Sequence, residues 1–145
     1  MYTADYIILA LLGLAGFWYY VRRRPRIAGE AFNRETLRGT LRRAADWLEE
    51  QGYTVLLSRP TARLVMQGDR RAMNFRVQAD FLVRRQGRQY VVVLKRGRHW
   101  GARLSNRRVR QRLLEYQFAF WDRPLLVVDL ERQNARVVHF RCLPR

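Results

Sequence analysis

Lysine is nearly absent from this 145-residue chain: Lys95 stands alone against 28 arginines. Cysteine is as scarce, and the single Cys142 excludes an internal disulfide framework and a cysteine-rich zinc site. His99 and His139 are the only histidines, too few for a His-rich metal cage. Acidic side chains number 12 against 29 basic ones, a formal net charge of +17. No Ser/His/Asp triad, glycine-rich phosphate loop or zinc-ligand spacing is visible, which removes the commonest nucleophilic, nucleotide and zinc chemistries. What is present is apolar mass: 48% hydrophobic and 12% aromatic residues. That composition excludes wholesale disorder, and the length suits one domain of ordinary size. The basic excess calls for an anionic partner, whether nucleic acid, anionic lipid or an acidic protein.

Tyr6 to Val21 is an uncharged run of 16 residues. As a helix it covers about 24 Å, somewhat short of a hydrocarbon core of about 30 Å. Tyr2 and Tyr6 lie at one end, and Trp18, Tyr19 and Tyr20 at the other, in the arrangement of interfacial aromatic belts. Arg22, Arg23, Arg24 and Arg26 follow at once, whereas a signal peptide carries its positive charge first. The sequence therefore predicts a transmembrane anchor over residues 1–22 and a basic juxtamembrane linker over 23–31. An α/β domain then fills residues 32–145. The positive-inside rule puts the N-terminus outside a cell membrane and the C-terminal domain in the cytoplasm. Arg22 to Arg26 would then meet anionic lipid.

In the domain, Asn33 is placed to cap a helix running to about Gln51, with Leu37, Leu41, Ala44, Ala45 and Leu48 as its apolar stripe and Gly52 as its stop. Tyr53–Leu57 reads as a strand closed by Ser58, Arg59 and Pro60, and Arg63–Met66 as a short strand or its continuation. Met73 to Arg84 alternates: Met73, Phe75, Val77, Ala79, Phe81 and Val83 are expected on one face, with Asn74, Arg76, Gln78, Asp80, Leu82 and Arg84 on the other. A turn at Gln86-Gly87 leads into Gln89–Lys95, making a hairpin. Ser105 or Asn106 caps a second helix reaching about Trp121, and strands follow at Leu125–Asp129 and Ala135–Phe140. The expected fold is a mixed central sheet flanked by helices.

A short hairpin loop pairs Arg85 with Arg88, or Arg84 with Gln89, in one and the same register. Asp80 then lies opposite Val93, and Gln78 opposite Lys95, so Asp80 and Lys95 share a face on one diagonal. A surface ion pair satisfies that geometry as well as a functional site does.

The stretch Val77-Gln78-Ala79-Asp80-Phe81-Leu82-Val83, the turn, and Tyr90 to Gly97 resemble the PD-(D/E)xK nuclease superfamily. The resemblance covers roughly residues 33–130. It implies a restriction-endonuclease-like αβββαβ core and Mg²⁺-dependent hydrolysis of phosphodiesters. It assigns Asp80 to the metal and Lys95 to the attacking water or the charged transition state. Glu35, in the first turn of the first helix, matches an extra acidic residue of some members, with Glu49 and Glu50 as competitors. Gln111 matches a helix glutamine of some branches. The acidic position two before the lysine is Val93, which offers Mg²⁺ no oxygen. Either Glu35 or Glu115 replaces it, or catalysis is lost.

Arg96, Arg98, His99 and Trp100, then Arg107, Arg108, Arg110 and Arg112, gather basic and aromatic side chains suited to phosphates and a stacked base. The functional expectation is a membrane-anchored nuclease-like domain that binds nucleic acid with impaired catalysis. Its rival is a non-enzymatic membrane scaffold whose basic surface meets lipid or protein.

Overall fold

The computed structural model describes residues 2–23, 27–69, 71–97, 100 and 104–143. Two interleaved apolar sets decide its architecture. Along β5 (Arg88–Leu94), Val91 and Val93 pack on one side and Val92 and Leu94 on the other, and all four are buried. A strand buried on both faces needs a layer on each side. α2 (Gly39–Glu50) supplies one layer with Ala44, Ala45 and Leu48, and α3 (Arg107–Ala119) supplies the other with Val109, Leu113 and Tyr116.

Between them lies a seven-stranded sheet. β1 (Ala28–Ala31), β2 (Thr54–Gln67), β4 (Phe81–Arg85), β5, β6 (Leu125–Asp129) and β7 (Asn134–Val138) follow in that spatial order, with β3 (Ala72–Gln78) paired to β2 alone. β5 and β6 are parallel, and α3 forms the crossover that a parallel pair requires. Asn106 caps α3 by accepting the Arg108 N–H at 3.0 Å, as expected from sequence. The mixed α/β class expected for residues 32–145 is thus present, widened by β1 inside the stretch read as linker.

The β4–β5 hairpin has the expected register, with Arg85 opposite Arg88 and Phe81 opposite Val92. Gln86 at φ +50° and Gly87 at φ +75° form its two-residue loop, the left-handed pair of a type I′ turn.

Three local expectations are corrected. Asn33 does not start a helix: its side chain accepts the Glu35 N–H at 3.0 Å and its carbonyl accepts the Thr36 N–H at 3.3 Å, closing a turn, and α2 begins only at Gly39. Glu35 therefore lies in a turn before the helix. Pro60 does not end a strand: β2 runs through it, bent at Arg59, whose φ is +50°. Opposite this bend, Met73–Arg84 splits into β3 and β4. Ala79 N–H donates to Pro60 O at 2.9 Å and Arg59 N–H to Asp80 O at 2.9 Å, so both strands bend together. The bend breaks the expected alternation. Val77 and Ala79 join the α3-side core, whereas Phe81 and Val83 join the α2-side core.

The N-terminal run folds as expected into a helix, α1 (Tyr2–Arg23). Among the described residues, however, no helix is long and apolar enough to cross a membrane, so the expected spanning anchor over residues 1–22 is unsupported. The uncharged run is shorter than the hydrocarbon core it would have to match. Its side chains from Tyr6 to Arg22 are all exposed, and Arg22 stacks over the Trp18 ring at 5.0 Å.

Candidate functional site

Asp80 owes its position to the paired bend. Leaving the regular ladder, it sends its N–H to Val92 O at 3.0 Å and turns its carboxylate back over the end of β5. There Oδ2 accepts the Leu94 N–H at 2.8 Å, and Oδ1 accepts from Arg96 at 2.7 Å. Burial pushes the Asp80 carboxyl above its ordinary value, against the opposing pull of the Leu94 N–H and the Arg96 and Arg112 charges.

A cleft of about 470 Å³ opens around it, lined among others by Gln78, Trp100 and Tyr116 and by three arginines, Arg59, Arg96 and Arg112. Arg59 and Gln78 also line a second groove along β1, β2 and β3, with Glu30, Arg63 and Arg76. The two depressions form one basic track. Antiparallel pairing puts Arg63 directly opposite Arg76 and Thr61 opposite Gln78. Like charges facing each other across a strand pair repel. Among the described residues, no ion pair joins Arg59, Arg63, Arg76 or Arg112 to a carboxylate.

The expected diagonal between Asp80 and Lys95 does not become a contact. Lys95 continues β5 beside the parallel strand β6, where its backbone N–H donates to Val128 O at 2.8 Å. Its ammonium meets Asp129 Oδ2 at 2.8 Å. That bond holds the Asp129 carboxyl below its ordinary value. Lys95 and Asp129 line a separate, smaller pocket with Arg132, Asn134 and Arg136. Trp100 borders both pockets. Sequence reasoning missed Asp129, because only the parallel pairing of Leu94 with Val128 sets Lys95 and Asp129 side by side at the strand ends.

The other expected site residues scatter. Arg96, Trp100 and Arg112 border the Asp80 cleft, while Glu35 is exposed in its turn and does not line it. Gln111 is exposed, as are Arg107 and Arg108, outside the buried stripe of α3. Arg98 lies outside the described residues, as do Arg24 and Arg26. Val93 is buried at 2% exposure in the α3-side core rather than facing Asp80 across an open site.

These residues do not fit Mg²⁺. Among the described residues Asp80 is the only carboxylate lining the cleft, both its oxygens already accept hydrogen bonds, and three arginines surround it. Among the described residues, no three His, Cys, Asp or Glu side chains come together as a metal site. A divalent cation wants several oxygen ligands and no competing positive charge. Phosphate oxygens want the reverse, and arginine supplies it in a bidentate geometry.

No protein-family model and no curated protein matches this sequence. A solved structure titled "Crystal structure of SSO0001" aligns at a TM-score of 0.44 with 12% identity, covering 65% of this chain and 44% of that one. This chain therefore spans less than half of that protein.

Proposed function

We propose that this chain is a membrane-held domain of restriction-endonuclease-like architecture that binds nucleic acid through its phosphates and does not hydrolyse it. One observation carries the reading. Arg63 and Arg76 face each other across β2 and β3, without a carboxylate partner among the described residues, on a track that continues to Arg59, Arg96 and Arg112. Five arginines share that track with two carboxylates, Glu30 and Asp80. A row of charges that repel one another at rest is relieved by an anionic polymer. Trp100 at the end of the track offers a surface on which a base can stack.

The architecture supports the first half of the proposal. With β1, β3 and β7 set aside, the order α2, β2, β4, β5, α3, β6, with β5 and β6 parallel, is compatible with the αβββαβ core that the resemblance implies. The chemistry supports the second half. The metal position at Asp80 is filled by Arg96, the acidic position is Val93, and the lysine is engaged by Asp129.

The membrane part rests on α1. Its apolar side chains from Tyr6 to Val21 are exposed, and a bilayer covers such a surface. In this reading α1 holds the chain at a membrane surface, and the basic stretch that follows it in the sequence is drawn to anionic headgroups. α3 and the turn after it add a second apolar surface, since Leu114, Phe118 and Trp121 are 47%, 63% and 72% exposed. That surface also favours the rival reading of a non-enzymatic membrane scaffold.

The full chain in anionic vesicles, given labelled single-stranded DNA or RNA with Mg²⁺ or Mn²⁺, separates these readings. The proposal expects the strand to float with the vesicles and be recovered intact. Cleavage that disappears in Lys95→Ala would restore the nuclease, and failure to bind at low salt would leave the scaffold.

A further inference from the structure

The pocket at the β5–β6–β7 end of the sheet has a charge and a size of its own. Strand pairing builds its floor. Val93 lies beside Val127, Val127 opposite Arg136 and Asp129 opposite Asn134, so Lys95, Asp129, Asn134 and Arg136 project to the same side. Arg132 joins from the turn after β6, where its backbone N–H donates to Asp129 Oδ1 at 3.2 Å. Asp129 thus has one oxygen on Lys95 and the other on that N–H, and its charge is offset by the ammonium. Arg132 and Arg136 remain, both exposed and, among the described residues, without an ion pair.

The net charge of the pocket is therefore +2, from Lys95, Arg132 and Arg136 against Asp129. A phosphodiester brings one negative charge, whereas a phosphomonoester brings about 1.5 to 2 at neutral pH. The volume is about 60 Å³. That is about an eighth of the Asp80 cleft and more than a single ordered water needs, so the pocket has room for a small tetrahedral oxyanion. Trp100 forms the wall shared with the Asp80 cleft, so the end of a strand that reaches this wall lies beside the pocket.

We propose that the pocket of Lys95, Arg132 and Arg136 binds a phosphomonoester dianion, the terminal phosphate of a nucleic-acid strand held in the neighbouring cleft. The strand part of this inference rests on the nucleic-acid reading above, and the anion part does not. Lys95 and Asn134 orient the group from the floor, while Arg132 and Arg136 close on its outer oxygens in the bidentate manner of guanidinium.

Calorimetry on the full chain in detergent micelles tests it with three probes: a single strand ending in phosphate, the same strand ending in hydroxyl, and inorganic phosphate alone. The phosphate-ended strand is expected to bind about tenfold tighter. Arg136→Gln and Arg132→Gln should each remove that preference and leave the hydroxyl-ended strand unaffected, whereas Arg63→Gln should weaken both strands equally. The preference should also fade below about pH 6, where a phosphomonoester loses its second charge. Equal affinity for the two strands, or a preference that survives both substitutions, overturns the proposal. If neither strand binds, inorganic phosphate decides alone. Binding abolished by Arg136→Gln then upholds the pocket while the nucleic-acid reading falls, and no binding overturns the pocket as well.

Discussion

Asp80 and Asp129 are carboxylates flanking the end of β5 on opposite sides, and their surroundings push them in opposite directions. Burial raises Asp80 despite its partners, whereas the Lys95 hydrogen bond lowers Asp129. The signs give opposite pH behaviour. A raised folded-state pKa means that the native protein holds the Asp80 proton more tightly than the unfolded chain does. Stability from that group is therefore gained as the pH falls through its folded pKa toward 3.8, and is absent at neutral pH. Asp129 is the reverse: its contribution is full above 3.8 and lost as the pH falls through its depressed value. Asp80→Asn keeps an acceptor for the Leu94 N–H and removes a charge that burial disfavours. Its melting temperature at pH 7 is expected to equal or exceed the native value. Asp80→Ala leaves that N–H without its acceptor and is expected to cost about 1–3 kcal/mol. An Asp80→Asn protein less stable than Asp80→Ala would contradict this assignment.

The elements divide into those whose signals are local and those that depend on a partner strand. The β4–β5 register was legible because a two-residue loop and period-two alternation fix it within a short stretch. The α2 layer was legible too, since Leu48 falls on an apolar stripe of helical period. The bend was not. Nothing in Met73–Arg84 shows that its middle faces Pro60, a residue with no N–H to offer the ladder, or that Arg59 takes a left-handed backbone there. From the sequence alone, therefore, Asp80 seemed to continue a flat face toward Lys95. The ion pair of Lys95 was hidden for a related reason, because Asp129 arrives on a parallel strand 34 residues later. Arg59 is held at φ +50° where its side chain lines both halves of the basic track. Left-handed backbone costs an L-residue about 1–2 kcal/mol. Arg59→Gly should thus match or exceed the native melting temperature while binding nucleic acid more weakly. A protein that lost stability and kept its affinity would contradict the link between that bend and the track.

The whole molecule carries +17, and at this scale the number of arginines matters less than their placement. Most of them lie on exposed positions where any anionic surface would attract them. Those that bear on function are set by the sheet. Arg63 and Arg76 oppose each other on the β2–β3 pair, Arg96 follows the end of β5, and Arg132 and Arg136 frame the pocket beside Lys95. The single lysine of the chain lies among them, engaged by Asp129 and two residues beyond the buried Val93, which is what the proposed separation of binding from hydrolysis rests on. The central claim is that this track neutralises backbone phosphates. The salt dependence of single-strand binding tests it most directly, measured on the full chain and on the double variant Arg63→Gln, Arg76→Gln. If the track holds the strand, the slope of log affinity against log salt should shrink by about 0.7 for each arginine removed. An unchanged slope in the double variant would contradict the claim.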